Sequence, residues 1–506
     1  MGKSYKYIGL IVILLAVELS SCGDKERTDP DPGIQKPDTT EKDTTTLGYG
    51  PIDFTRFKDS YAEISSPDYA YQWRHYNVHD PAIIDDGTYF YSYSTDVAYG
   101  HEVRSGLQIR RSLNMVEWEF VGWVFNTLPP EGAAFIRQNG AEPFNSLWAP
   151  YTIKVGEEYR LYYSLTGPIG RLSVIGLATA TKPQGPFIEK GIAVSSKADN
   201  SRQTNAIDPT VVIDESGRHW MYYGSAWDGI YLLELDPASG LALVPNDKGR
   251  RVAQRGFTGG WVNGNIEGPE VIYHPEFDKY YLFIAYDWLE TKYNVRVGRS
   301  DSPEGPFYDI HGVDMNEERD DAPMLLAPYR FQGHSGWQGV SHVGVVERDG
   351  NYYLGHQGRP GSDKYFMILH TRQIHWTADG WPLVSPQRYA GEEETEVTVD
   401  ELAGTWEQIV FGYTVVPGYA EEQVNPDFQH SVSIALDVTG TINGDDANTW
   451  QYEAPWLTLS WAGGTYVDQL YVERGRDWEN EVAATILFTG LNQDYTTIWG
   501  KKIDRQ

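Results

Sequence analysis

The chain has 506 residues, with 71 acidic against 41 basic side chains, a formal net charge of −30, and a single cysteine. Nucleic acid and other polyanions are thereby poor partners, and an internal disulfide is excluded. Aromatic residues make up 14% of the chain and amphipathic helical patterns are few, which together favour an all-β protein long enough for two domains.

Residues 1–21 carry Lys3 and Lys6, an apolar run over 8–17, and then Leu19, Ser20 and Ser21 ahead of Cys22. The run is too short to span a bilayer, and small residues directly before a cysteine suit a lipoprotein signal peptidase. This predicts a lipoprotein signal peptide over 1–21, with Cys22 as the lipidated residue. Residues 22–47 follow as a tether of Asp, Glu, Lys, Pro and Thr with almost no large apolar side chain, the composition of a disordered linker. The acidic residues after Cys22 resemble the export signal of surface lipoproteins. The expected location is the bacterial outer membrane, surface-exposed, with a periplasm-facing anchor as the other orientation. The membrane is then met only through the lipid.

Over residues 48–390 one phrase recurs five times. It reads HDPAIIDDGTYFYSYS from His79, WAPYTIKVGEEYRLYYSL from Trp148, IDPTVVIDESGRHWMYYGS from Ile207, IEGPEVIYHPEFDKYYLFIAY from Ile266, and SHVGVVERDGNYYLGH from Ser341. Each copy is a hairpin pattern, with β-branched and aromatic residues on either side of a small polar turn. Pro81, Pro150, Pro209, Pro269 and Val343 mark corresponding points, 69, 59, 60 and 74 residues apart. Each interval holds four short strands, so the region predicts a five-bladed β-propeller. Gly185-Pro186-Phe187 and Gly305-Pro306-Phe307 are expected to turn an outer strand and plug an aromatic ring between blades. Beyond a glutamate-rich bridge at 391–400, residues 391–506 predict a small C-terminal β-barrel or β-sandwich. There Val432, Ile434, Leu436 and Val438 alternate onto one face. Its simplest role is structural support, with independent carbohydrate binding as the alternative.

Inner strands of propeller blades line a central channel, so equivalent positions in different blades become neighbours. Asp80, Asp208 and Glu267 all stand where those strands begin, with Glu267 aligned one position before the aspartate of the third phrase. One Asp-Pro is an ordinary turn. Three convergent acids are harder to explain without function, because like charges near one axis destabilise the fold. They suit glycoside hydrolysis, in which an ionised carboxylate activates water and a protonated one serves the leaving oxygen. Trp73, Trp148, Trp227 and Trp288 are candidate flat walls for sugar rings. Glu270 is the nearest rival for the acid, while Asp96 and Asp287, at the far ends of their inner strands, read as turn or substrate contacts.

These residues lie in specific motifs: HDP at 79–81, LWAP at 147–150, NAIDP at 205–209, YGSAWDGI at 223–230, IEGP at 266–269 and YNVRVGRSDSPEGPF at 293–307. With them, the segment from about 80 to 382 resembles glycoside hydrolase family 43, specifically its endo-α-1,5-L-arabinanase branch. The resemblance implies Asp80 as general base, Asp208 as pKa modulator and positioner, and Glu267 as general acid. It implies inversion, with the Asp80 and Glu267 carboxyls roughly 6.5–9.5 Å apart to admit a water. It also makes Trp148, Asn205, Ser225 and Trp227 candidate sugar contacts. The implied substrate is arabinan of pectin side chains, cut internally. The alternatives are an exo-acting α-L-arabinofuranosidase or β-xylosidase, and a non-catalytic glycan-binding surface lipoprotein.

His342 opens the fifth phrase within GWQGVSH, where the family carries a GPGH-like segment whose histidine binds a metal, usually calcium. Here Val340 and Ser341 replace the Pro-Gly. The resemblance thus implies one channel calcium on His342 and waters, set against a histidine simply bonded to a neighbouring carboxylate. His356 and Arg359 either bond a sugar or close the fifth blade. The C-terminal region, ending in a WGKK strand, resembles the domain that follows the propeller in larger bacterial arabinanases. A monomer is expected.

Overall fold

The computed structural model describes residues 51–503 apart from 259–260, 263–264, 320, 393–394 and 413–423. The expected signal peptide, Cys22 and tether lie outside the described residues.

The five phrases fold as expected. Their first strands are Ala82–Asp85, Trp148–Val155, Thr210–Ile213, Ile266–His274 and Trp337–Arg348. Each begins an antiparallel run of four strands that continues outward in chain order. Successive first strands pack against one another and the fifth packs against the first, closing a five-bladed ring. Closure is tight: a Cβ on Gly344 of the fifth blade would collide with the Pro81 carbonyl of the first.

The polar turns work by local chemistry. Asp86 Oδ1 accepts the N–H groups of Thr88 and Tyr89, and Asp214 Oδ1 accepts those of Ser216 and Arg218. Both are side-chain turns that leave the following strand in antiparallel register. The second strands of the first and third blades, Phe90–Ser94 and His219–Tyr223, are buried at every position. Neighbouring blades cover both their faces, which is why they read as unbroken aromatic runs. Phe187 of the second blade packs edge-on against Tyr93 of the first, and Phe307 of the fourth against Tyr222 of the third. The two Gly-Pro-Phe turns thus plug the blade interfaces.

Beyond the propeller, strands from Gly404–Val410 to Thr497–Lys502 form a closed eight-stranded barrel. The sandwich alternative is thereby set aside. Trp406, Leu459, Leu470 and Phe488 fill its interior. The alternation expected over 432–438 holds only in part. Ile434 and Leu436 are buried, but Val432 is 56% and Val438 89% exposed. The strand ends at Leu436, so Val438 falls in the turn beyond it.

Candidate active site

A backbone feature shared by all five blades builds the site. The residue just before each marker position, namely Asp80, Ala149, Asp208, Gly268 and His342, has a left-handed φ between +32° and +58°. In three blades the ladder also shifts register there, between Trp148 and Tyr151, Glu267 and Glu270, and Ser341 and Gly344. Such bulges re-aim side chains. A non-glycine residue in this conformation costs of order 1 kcal/mol or more, and it persists because surrounding packing over-determines it. Here the closed ring supplies that packing, and side chains from different blades converge on the axis.

The fourth blade departs from the others by one residue. A Cβ on Gly268 would lie 2.9 Å from His342 Nδ1, so that position cannot carry a carboxylate. The acid comes instead from Glu267, one residue earlier, which is the register offset read from the sequence.

Asp80 is 7% exposed. Its Oδ2 accepts the Thr95 hydroxyl at 2.6 Å and lies 2.7 Å from His79 Nδ1, while Oδ1 lies 3.0 Å from His342 Nδ1. Its backbone N–H donates to Gln357 Oε1 at 3.1 Å. Burial alone pushes this carboxyl up, but the facing imidazoles of His79 and His342 outweigh it and hold Asp80 well below the usual carboxylate range. His342 responds in kind. Burial disfavours its cation, yet Asp80 foremost, then Asp208 and Glu267, raise it to about 9.

Asp208 has the opposite environment. It is 5% exposed, and Oδ2 accepts a single backbone N–H, from Gly268 at 3.2 Å. Burial, reinforced by the charges of Glu267 and Asp80, raises it well above the ordinary carboxylate value. Glu267 is half-buried. Oε2 accepts the Ser225 hydroxyl at 2.7 Å and Oε1 the Tyr293 hydroxyl at 2.8 Å. A carboxylate offers about four lone-pair directions, so each oxygen retains one for a proton or a substrate oxygen.

The other sequence candidates divide. Ser225 bonds the Glu267 carboxylate directly, and Asn205 bridges to Ser225 through the backbone. Trp148 is half-buried, with its indole N–H on Ser146 and its ring stacked on Phe144. Trp227 is half-buried, with the Arg171 guanidinium 5.5 Å over its ring. Trp73 is not a sugar wall: it is 1% exposed and packed edge-on against Phe120 and Trp123.

Glu270 is buried, and burial pushes it up to about 7. It accepts Thr210 Oγ1 and the Val345 N–H, tying three blades together across the channel. Asp96 and Asp287 follow the second strands of their blades, not the first. Asp96 caps the N–H groups of Gly106, Leu107 and Leu147, and Asp287 pairs with buried Arg255 at 3.0 Å. Neither is a surface turn residue.

His356 donates from Nδ1 to the Gln357 carbonyl and accepts from Arg372 at Nε2. Fully buried, it closes the fifth blade. Arg359, 3% exposed, donates to the Lys364 carbonyl. Sequence reasoning missed Tyr293 and Thr95. Tyr293 had a signal, as the first residue of the YNVRVGRS motif, whereas Thr95 had none beyond following an aromatic run.

A hard divalent cation prefers six to eight oxygen ligands. Among the described residues no group of three or more His, Cys, Asp or Glu is placed to hold a metal. His342 Nδ1 is turned toward Asp80, which leaves the other nitrogen of this ring as its point of contact with a channel cation.

Comparison with known proteins matches this geometry to a family. An extracellular endo-α-(1→5)-L-arabinanase from Thermotoga petrophila is 27% identical over 471 residues, covering 84% of this chain and 94% of that protein. An extracellular exo-α-(1→5)-L-arabinofuranosidase from Cellvibrio japonicus is 28% identical over 323 residues, covering 61% of this chain and 86% of the relative. A crystal structure of the Thermotoga petrophila endo-1,5-α-L-arabinanase superposes with a TM-score of 0.72 at 25% identity, over 85% of this chain and 99% of that one. Residues 386–500 match a C-terminal lipocalin-like domain. With residues 75–382 matching the glycosyl hydrolases family 43 model, the chain belongs to that family.

Proposed function

We propose that the protein is an extracellular endo-α-1,5-L-arabinanase that cleaves arabinan by inversion, with Asp80 as base, Asp208 as modulator and Glu267 as acid. The observation that carries this reading is the division of environments among three neighbouring carboxyls. Two imidazoles and a hydroxyl keep Asp80 ionised, whereas burial and the charges of Glu267 and Asp80 favour a retained proton on Asp208. Pairs of titratable groups pushed apart in this way mark acid and base assignments.

In the proposed reaction, Asp80 takes a proton from water as that water attacks the anomeric carbon. Glu267, the more open of the other two, delivers its proton to the departing glycosidic oxygen, while Ser225 and Tyr293 fix its carboxyl plane. Asp208, whose own hold on a proton is strengthened by burial and by the charges of Glu267 and Asp80, interacts with that acid and acts as its modulator and positioner. A calcium ion held by His342 and water would add positive charge beside Asp80. We propose further that Cys22 carries a lipid anchor, testable by the shift of a Cys22→Ala variant to the soluble fraction.

The decisive assay is digestion of linear arabinan with the product anomer followed by proton NMR. A ladder of oligosaccharides released first as the β-anomer is expected. Release of arabinose alone would replace the endo reading with the exo one that the Cellvibrio relative represents, and a first-formed α-anomer would remove inversion.

A further inference from the structure

We propose that the C-terminal barrel carries a second sugar site, in the open mouth of its lumen, which holds a neutral arabinofuranosyl segment of the polymer cut by the propeller. The identity of the sugar rests on the arabinan reading above; the existence of the site does not.

The barrel's inward positions run two apart along each strand. In the lower layers they are apolar and sealed, as with Trp406, Leu459, Leu470 and Phe488, each fully buried. One step further along the same strands the pattern changes: Trp406 gives way to Gln408, Leu459 to Trp461, and Leu470 to Asp468 and then Tyr466. These side chains, with Asn492, surround a cavity of about 370 Å³. A barrel serving only as support would gain by continuing its apolar layers here. This one opens instead.

The polar groups in that layer are arranged as for a ligand. Gln408 is 5% exposed, lines the cavity, and has no hydrogen-bond partner for its Nε2 among the described residues. A buried amide donor without a partner is destabilising, a penalty that a ligand oxygen would remove. Asp468, also 5% exposed, accepts the Trp461 indole N–H at 2.7 Å through Oδ2 and thereby fixes the plane of that ring. Trp461 and Tyr466 are direct cross-strand partners, and Tyr466 is 54% exposed. Two aromatic faces, an amide donor and a carboxylate acceptor are the chemistry that recognises the C–H faces and hydroxyls of a sugar.

Charge narrows the class. Among the described residues no Lys, Arg or His lines the cavity, and Asp468 and Asp494 both do. Phosphates and uronates are disfavoured, leaving neutral polyols. The volume sits at the low end of the range for ligand pockets, about 300–1,000 Å³, which suits a short sugar segment. Holding the polymer on the same chain that cuts it raises the local concentration of scissile bonds at the propeller.

The test uses the full chain with Glu267→Gln to stop turnover, titrated calorimetrically with linear arabino-oligosaccharides. Two classes of site are expected, and either Tyr466→Ala or Gln408→Leu should abolish one while leaving the other unchanged. In the active chain both variants should lose rate on long arabinan several-fold and keep their rate on an aryl arabinofuranoside. Tyr466 is exposed enough for its alanine variant to fold, which an unaltered unfolding midpoint would check. Hydrolysis of arabinan by a chain with one binding class, indifferent to both barrel variants, overturns this proposal alone. A chain that neither cuts nor binds arabinan overturns both readings, whereas one that does not cut but binds at Tyr466 and Gln408 keeps the barrel site and sinks only the catalytic reading.

Discussion

Asp80 accepts from Thr95 and faces two imidazoles, so its charge matters more to the site than its shape. Asp80→Asn preserves shape, and we expect it to reduce kcat at least as much as loss of a general base usually does, about 100- to 10,000-fold, while oligosaccharide affinity persists. Near-normal turnover in that variant would remove Asp80 from the mechanism. Glu267→Gln should damage cleavage of arabinan far more than cleavage of an aryl arabinofuranoside, whose leaving group scarcely needs a proton; equal losses would argue against an acid role. The Asp and Glu candidates were legible because they open repeated phrases, where a repeat makes an unusual residue conspicuous. Tyr293 and Thr95 were not, because nothing along the chain says that a hydroxyl from one strand will meet a carboxylate from another. Ser225 was legible as a site residue through its motif, but the bond of its hydroxyl to Glu267 was not.

The fifth blade shows what an element can conceal. Its hairpin was readable, but its sheet also takes in Tyr329–Arg330 and, from beyond the propeller, Gln429–His430 paired in parallel. Two-residue strands leave no periodicity to detect. The blade's interior also holds His356 and His370, with His75 beside them from the N-terminal segment, whose carbonyl accepts the Leu369 N–H. Burial first, and then nearby guanidinium charges, with Arg388 common to all three and Arg372 acting on His356 and His370, keep them well below the usual histidine value. A lowered folded pKa means that the unfolded chain binds more protons once pH falls below about 6.5. Stability is therefore lost as pH falls through that value, with a slope approaching about 4 kcal/mol per pH unit for three such groups. His370 has no hydrogen-bond partner on either nitrogen among the described residues and packs edge-on against Trp337. His370→Phe should thus reduce the slope by about 1.4 kcal/mol per unit, measured by urea unfolding between pH 7 and pH 5. Parallel curves for variant and parent would mean that His370 is not held neutral by the fold.

At the scale of the molecule, the question is whether propeller and barrel are one cooperative body. Ile409, Phe411 and Trp499 leave the barrel wall to join the fifth-blade core around Tyr329 and Trp337. Thr489 and Thr497 of the barrel donate to the propeller carbonyls of Val384 and Met324. Trp478 sits under Arg388, whose guanidinium lies 4.2 Å over its ring, with Phe54 and Phe57 edge-on to it. Beneath this seam Lys501 is 0% exposed and bonds Asp477 at 2.7 Å and Glu479 at 2.9 Å; Glu479 in turn accepts from Gln387 of the propeller. Removing one member of a buried ionic cluster leaves the others uncompensated and typically costs about 3–5 kcal/mol. Lys501→Met should therefore destabilise the whole chain by that amount, and adding Glu479→Gln should restore part of it by deleting one stranded charge. Scanning calorimetry of the parent should give one transition, shifted to lower temperature as a unit in Lys501→Met. Because the charge cluster and the apolar seam both cross from barrel to propeller, a loss confined to the barrel would have no physical route. Two separate transitions in the parent, with only one moved by the substitution, would show that the domains unfold independently.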